Sequence, residues 1–123
     1  KMKKLMCHCG EVELEIKESE RALNKFLRCN CTLCKKKGYI MTFAPITDVK
    51  ITKGEDKLKL YQYHTKVAEH YFCSDCGIYT HHKMRSRPDT FGLNVGCIDD
   101  IDQFKLENVG LNDGQNHPMD QKK

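Results

Sequence analysis

The chain has 123 residues, of which 39% are hydrophobic and 31% are charged, with a formal net charge of +4. This length is typical of one domain, so we predict a single unit over residues 1–123 with a thin hydrophobic core. Because no stretch of about 18 apolar residues occurs, the sequence predicts no membrane-spanning helix.

The first third of the chain contains one clear strand among less regular segments. Residues 11–16 alternate acidic and apolar side chains, which predicts a half-buried strand. Residues 20–28 fit a helix in part but lead directly into a cysteine-rich turn. Residues 32–37 predict a short helical turn that is capped by Thr32 and ended by Gly38.

The following residues predict a series of short strands. Runs of β-forming or alternating residues occur at 39–44, 49–51, 58–63, 67–72, 78–83 and 90–97, and turn residues such as Pro45 and Gly54 separate them. Beyond Asp99 the chain is polar and rich in turns. The predicted fold class is mainly β, with small antiparallel sheets whose core includes Leu58, Leu60, Phe91, Leu93 and Val95.

Seven of the eight cysteines form three short clusters. They are Cys7 and Cys9, then Cys29, Cys31 and Cys34, then Cys73 and Cys76. Zinc prefers four thiolate or imidazole ligands in a tetrahedron, and short spacings of this kind present two sulfurs to one ion. Seven ligands divide into four, which close a structural site, and three, which leave one zinc position open for catalysis.

Disulfides are the alternative to metal binding at these cysteines. They persist in oxidising compartments, yet the first six residues contain no apolar run typical of a secretory signal. We therefore expect two zinc sites, the second of them fully or only partly occupied, in the cytoplasm or alternatively the nucleus. Seven thiolates and two zinc ions would lower the formal charge from +4 to about +1, so the basic excess does not predict nucleic-acid binding.

Several motifs in a fixed order identify a related family. They span residues 7–12, 29–36, 71–82, 92–97 and 113–118, and they include all seven clustered cysteines. With these motifs the chain resembles the glutathione-dependent formaldehyde-activating family, which also includes the centromere protein V domain. Three ordered cysteine clusters with two downstream motifs make a chance resemblance improbable.

The resemblance implies a fold, two metal sites and an activity. It implies a mainly β, Mss4-like fold of small twisted sheets stapled by zinc. It assigns a structural zinc to Cys7, Cys9, Cys73 and Cys76, and a catalytic zinc to Cys29, Cys31 and Cys34. The implied reaction condenses glutathione with formaldehyde or a related small aldehyde, which is a carbon–sulfur lyase reaction run in reverse.

Two other functions stay open at this point. One is a non-catalytic zinc module that binds a partner, as in the centromere protein V branch. The other is a thiol-based redox or zinc-buffering protein, which an exposed three-sulfur cluster would permit.

Basic and histidine side chains are further candidates for the catalytic site. Lys35, Lys36 and their neighbour Lys37 could offset the negative charge of a zinc ion with three thiolates and bind the carboxylates of glutathione. His81 and His82 occupy successive strand positions, so only one of them can face a given site, and we take His82 as the candidate.

The remaining polar candidates lie elsewhere in the chain. Asn116 and His117 either order the substrate pocket or form a buried turn, whereas His64 and His70 are interpreted as structural or exposed. Cys97 is either a small buried hydrophobic residue or a fourth ligand at the second metal site.

Overall fold

The computed structural model describes residues 2–113, which form ten strands and one short α-helix, α1 at Thr32–Lys37. The strands are β1 Met2–Met6, β2 Glu13–Lys17, β3 Leu27–Cys29, β4 Met41–Pro45, β5 Val49–Lys53, β6 Leu58–Tyr61, β7 Glu69–Cys73, β8 Tyr79–Lys83, β9 Thr90–Asn94 and β10 Gly110–Asn112. The mainly β prediction is confirmed. Within residues 2–113 no helix has the length and apolar character needed to cross a bilayer.

The strands form two sheets of unequal size. The smaller has the order β1-β2-β5, and the larger has the order β10-β3-β4-β9-β8-β7-β6. Every strand pair is antiparallel except β10 with β3, which is parallel and pairs Gly110 with Leu27. The sequence had predicted antiparallel sheets only, because β10 lies in a polar stretch without alternation.

The predicted alternation in the second strand is seen directly. Leu14 and Ile16 are fully buried, whereas Glu13 and Glu15 are partly exposed on the other face of β2. The core also receives Leu5 from β1, a strand that the sequence analysis had not predicted. Burial of one face of β2 against these residues fixes its register, since a slip of one residue would expose the apolar set.

Two expectations about the strands are wrong. Leu60 is 47% exposed rather than part of the core, because β6 lies at the edge of the larger sheet. The strand predicted over 90–97 ends at Asn94, whose side chain accepts a hydrogen bond from the Gly96 backbone N–H at 3.1 Å and caps a 3-10 turn. An Asn side chain competes in this way with continued strand pairing.

Candidate functional site

In the structure the seven cysteines form two clusters, and the four-cysteine group is called the first cluster from here on. It joins segments that are distant in the sequence. Cys7 and Cys9 follow β1, Cys73 ends β7, and Cys76 lies in the turn before β8. The Cys9 Sγ is 3.7 Å from the Sγ atoms of Cys7 and Cys73, and all four sulfurs lie within 4.8 Å of one another. Zn–S bonds of about 2.3 Å in a tetrahedron give sulfur–sulfur distances of about 3.8 Å. These four thiols therefore fit a closed zinc site.

The surroundings of this cluster favour a thiolate at Cys76. Cys7 and Cys73 are buried in the main hydrophobic core, and the Val12 backbone N–H donates to Cys7 Sγ at 3.3 Å. Burial raises the pKa of Cys76, but backbone N–H groups of Cys9 and Ile78 and neighbouring thiols outweigh it and lower that pKa to about 6. A thiol with a low pKa loses its proton readily to a metal.

The second cysteine cluster is assembled from residues close in the sequence. Cys29 ends β3, Cys31 precedes α1 and Cys34 lies within it, and their three sulfurs lie within 4.8 Å of one another. Cys31 is the N-cap of α1, because its Sγ accepts a hydrogen bond from the Cys34 backbone N–H at 3.3 Å. The prediction that Thr32 caps the helix is therefore wrong, whereas its end at Gly38, with a left-handed φ of 66°, is confirmed.

Hydrogen bonds within the second cluster shift the pKa values of Cys31 and Cys34 in opposite directions. The pKa of Cys31 lies far below its usual range, because Cys29 and Cys34 donate to it, as do the Cys34 backbone N–H and the Tyr63 hydroxyl. The pKa of Cys34 lies far above its usual range, because its hydrogen bonds with the other two thiols and its burial hold the proton. The arrangement therefore favours a thiolate at Cys31, which is the form that a metal binds.

A cavity of about 390 Å³ opens onto the three sulfurs of the second cluster. This volume falls in the usual range of ligand pockets. Besides the cysteines, the cavity is lined by residues of the segment after β6, of β7, β8 and β10, and of the segment after β8, among them Tyr63, His64, His70, His82, Arg85 and Asn112. The second cluster is thus accessible to a small ligand.

The two adjacent histidines of β8 face opposite sides of the sheet, as predicted. His82 lines the cavity, whereas His81 stacks on Tyr71 at 4.8 Å and meets Phe91 edge-on at 5.1 Å, both between ring centroids. His81 also forms a hydrogen bond with Thr80, 2.8 Å from its Nδ1. His81 therefore belongs to the packing on the far side of the sheet.

His70 joins His82 at the cavity wall. The two residues are paired across β7 and β8, and their rings stack with centroids 5.5 Å apart. Burial lowers the pKa of His70 to about 4 and lowers the pKa of His82 well below 6.5. Both rings are therefore neutral at pH 7 and can offer one N–H donor each.

Sequence reasoning missed several residues of this site. His70 and the exposed His64, which were interpreted as structural or exposed, both line the cavity. The Tyr63 hydroxyl lies 3.9 Å from Cys31 Sγ, and the Asn112 side-chain nitrogen lies 3.6 Å from Cys29 Sγ. No local sequence pattern indicated these contacts, because each depends on how distant segments fold over the cluster.

The three lysines predicted to act at the site differ in their exposure to solvent. Lys35 and Lys36 are exposed and are not among the residues that line the cavity, so their role in substrate binding stays a prediction. Lys37 is partly buried, and its ammonium lies 2.7 Å from the Tyr39 hydroxyl. Asn116 and His117 lie outside the described residues.

The eighth cysteine lies beside the first cluster and not at the second. The Sγ of Cys97 is 3.8 Å from the carbonyl oxygen of Tyr79, and its side chain packs against the main core. Burial, with the nearby charges of Cys7 and Cys76, raises the pKa of Cys97 to about 12. Among residues 2–113 the groups suited to a metal ion do not include it, so it does not complete the second site.

Two comparisons with known proteins bear on the family and the fold of this chain. A family model described as glutathione-dependent formaldehyde-activating enzyme matches residues 2–109, a range that contains both cysteine clusters. A Rhodobacter sphaeroides protein with a known crystal structure is 38% identical to this chain in sequence, and the two structures match with a TM-score of 0.83. That similarity covers 89% of this chain and 99% of the Rhodobacter chain.

Proposed function

Because this chain belongs to the glutathione-dependent formaldehyde-activating enzyme family, we propose that it is a zinc enzyme that condenses a thiol with a small aldehyde. The thiol is glutathione or a similar compound, and the aldehyde is formaldehyde or a close relative. The reaction is that of a carbon–sulfur lyase run in the direction of synthesis. The observation that carries the proposal is the placement of three thiols, Cys29, Cys31 and Cys34, against a ligand-sized cavity.

The donor set of the second cluster fits the role of a catalytic metal site. Three thiolates hold a tetrahedral ion and leave one position for an outside ligand, whereas the four thiols of the first cluster leave none. Zinc bound there would supply Lewis acidity for an aldehyde carbonyl and would stabilise a thiolate near neutral pH.

The protein groups around the cavity can position both reactants. Neutral His70 and His82 can donate N–H hydrogen bonds to a carbonyl oxygen without placing a charge in a buried environment. Glutathione carries two carboxylates, and the guanidinium of Arg85 at the cavity wall suits one of them. Holding both reactants in one cavity removes much of the entropy cost of a bimolecular step.

Exposed lysines complete the proposal outside the cavity. Lys35 and Lys36 follow Cys34 directly and keep their charges in solvent. We propose that these two lysines weakly attract the carboxylates of an approaching thiol before the substrate enters the cavity. Asn116 and His117 are also proposed to contribute to substrate binding, because a polar motif of this kind has little packing reason to exist.

A turnover assay tests this function. Glutathione is combined with a panel of small aldehydes, and the rate above the uncatalysed reaction is compared for the native protein and Cys31→Ser. We expect Cys31→Ser to fall to the uncatalysed rate, because it removes one of three ligands and a thiol whose pKa lies far below its usual range.

Cys97→Ser is the matched control for this assay. It is the same chemical change at a thiol that lies outside both clusters, so it should retain activity. Equal rates for native protein and Cys31→Ser would contradict the enzyme proposal and would favour a non-catalytic zinc module.

A further inference from the structure

A chain of three hydrogen-bonded side chains ends on the imidazole at the cavity wall. The Nζ of Lys37 lies 2.7 Å from the Tyr39 hydroxyl oxygen, and that oxygen lies 3.0 Å from Nδ1 of His82. Both distances are those of normal hydrogen bonds. The ammonium also lies 4.3 Å from the centroid of the Tyr39 ring and 4.6 Å from that of Tyr79, which helps to hold it in place.

The chemistry of the three groups fixes the direction of these hydrogen bonds. Burial lowers the pKa of Lys37 from 10.5, and the nearby thiols of the second cluster oppose that change. As an ammonium, Lys37 can only donate, so the Tyr39 hydroxyl accepts from it. Of the hydrogen-bond partners of this hydroxyl within residues 2–113, only Nδ1 of His82 can accept, so we assign the hydroxyl proton to that bond. Burial raises the pKa of Tyr39 well above 10, which keeps this proton on the phenol. With Nδ1 acting as an acceptor, the one N–H of neutral His82 is at Nε2.

Packing prevents the His82 ring from exchanging its two nitrogens. The residue is 6% exposed, and its ring lies against the backbone of Gly92 on the neighbouring strand β9. A Cβ atom at position 92 would be 2.1 Å from Cε1 of the ring, so only glycine leaves room for it. On another side the ring stacks on His70. Since Nδ1 is bound to Tyr39, Nε2 is the nitrogen that remains for a ligand in the cavity.

We propose that Lys37 and Tyr39 are positioning residues that hold His82 in the Nε2–H tautomer, ready to donate to the aldehyde oxygen. This inference rests on the proposed function. As the thiol sulfur forms the carbon–sulfur bond, the π electrons of the carbonyl move to its oxygen, which finally takes the proton that the thiol gave up. A fixed N–H aimed at that oxygen stabilises the developing negative charge without reorganisation.

The tautomer itself can be measured by nitrogen NMR on the zinc-loaded, ¹⁵N-labelled protein. Long-range proton–nitrogen correlations distinguish a protonated ring nitrogen from an unprotonated one. We expect His82 to show an unprotonated Nδ1 and a protonated Nε2. A protonated Nδ1 in the native protein would overturn the proposal, whatever the activity of the enzyme.

Two variants test the origin of this preference. Tyr39→Phe keeps the ring and removes the donor to Nδ1. Lys37→Met keeps the hydroxyl but removes the ammonium that donates to it, so the hydroxyl can accept from a protonated Nδ1 as well as donate to an unprotonated one. We expect a mixture of tautomers at His82 in both variants, with a larger change in Tyr39→Phe. An unchanged His82 spectrum in both would show that neither residue positions the ring.

Kinetics then separate this inference from the proposed function. In Tyr39→Phe we expect kcat to fall by about 10- to 100-fold with KM changed less than threefold, because the lost interaction acts on the developing oxyanion. An altered tautomer with an unchanged kcat would overturn the donor role of His82. If even the native protein does not turn over while its tautomer depends on Tyr39, the proposed function fails and the positioning assignment stands.

Discussion

The two cysteine clusters use the same ligand atom but are built into the fold in opposite ways. In the first, Cys9 and Cys73 are 64 residues apart, and two of its four thiols are buried in the main core. In the second, all three thiols lie within residues 29–34 at the end of β3 and the start of α1. One cluster ties distant parts of the chain together, and the other presents its sulfurs to a cavity.

This difference separates a folding role from a chemical role. Closing a long loop constrains the unfolded chain and pins distant strands, so a ligand lost from the first cluster should weaken the whole fold. A cluster formed by adjacent residues closes only a short loop, and its loss leaves the remaining sheets in place. The predictions below compare residues of the two clusters with each other and with residues outside them.

The largest expected effect is on the free energy of unfolding, when one cysteine of each cluster in turn is replaced by serine. Cys73→Ser should reduce the free energy of unfolding by about 5 kcal/mol or more, because a structural zinc can contribute about 10 kcal/mol and ordinary domains are stable by only about 5–15 kcal/mol. Cys31→Ser should cost less than about 2 kcal/mol. Circular dichroism during chemical unfolding, with zinc content measured beside it, would check both values. Equal losses in the two variants would contradict the division of roles.

The sequence alone was sufficient to predict the second cluster, because the information is local, whereas the grouping of Cys7 and Cys9 with Cys73 and Cys76 was implied by the family resemblance. Short cysteine spacings bring sulfurs together within a single turn, as at Cys31 and Cys34. Period-two alternation likewise predicted the buried face of β2. The cap of α1 was the local exception: Thr is a good N-cap in general, but the Cys31 sulfur already lies at the helix start and accepts the Cys34 N–H.

The walls of the cavity could not be predicted in the same way. Asn112 reaches Cys29 only because β10 pairs in parallel with β3, a long-range contact in a polar stretch without alternation. Tyr63 reaches the cavity because the segment after β6 folds toward Cys31, and His70 reaches it from β7, where it pairs with His82 of β8. Register and loop placement depend on contacts between distant residues, and a single sequence does not display them.

The pH dependence of stability isolates a buried histidine that belongs to neither cluster. Burial lowers the pKa of His81 to about 4 from 6.5, so the unfolded state binds more protons between these values. The stability from neutral His81 is therefore fully present above about pH 6.5 and is lost as the pH falls toward 4. The loss amounts to about 3 kcal/mol for one group.

His81→Phe should remove this part of the pH dependence while keeping a ring between Tyr71 and Phe91. Chemical unfolding of the native protein and the variant at several pH values between 7 and 4 measures the difference in slope. Acid also releases thiolate-bound metal in both proteins, and this shared effect cancels in the comparison.

Two glycines offer a smaller contrast, one near each cluster. A Cβ at Gly54 would lie 1.9 Å from the Glu11 backbone oxygen in the segment after Cys9, and a Cβ at Gly92 would meet the His82 ring. Either alanine should cost about 1–3 kcal/mol of stability. Only Gly92→Ala should also lower kcat of the folded protein, because it displaces a cavity residue. Equal kcat values in the two variants would contradict a role for His82 in the reaction.

The smallest expected effect distinguishes the cavity wall from the exposed lysines. Arg85→Ala should raise KM for glutathione by about 10- to 100-fold, because a charge-assisted hydrogen bond in a cavity contributes about 1.5–3 kcal/mol. Lys36→Ala, at an exposed position, should raise KM by less than about fivefold, since surface ion pairs contribute about 0–1 kcal/mol.

Two controls decide whether these changes report carboxylate binding. A thiol without carboxylates, such as 2-mercaptoethanol, should show the same KM with native protein and Arg85→Ala; a similar loss with both thiols would mean that Arg85 supports the cavity rather than the substrate. Added salt should abolish the effect of Lys36→Ala but only weaken that of Arg85→Ala, because screening acts most strongly on solvent-exposed charges. If Lys36→Ala has the larger effect, the carboxylate of glutathione is recognised outside the cavity.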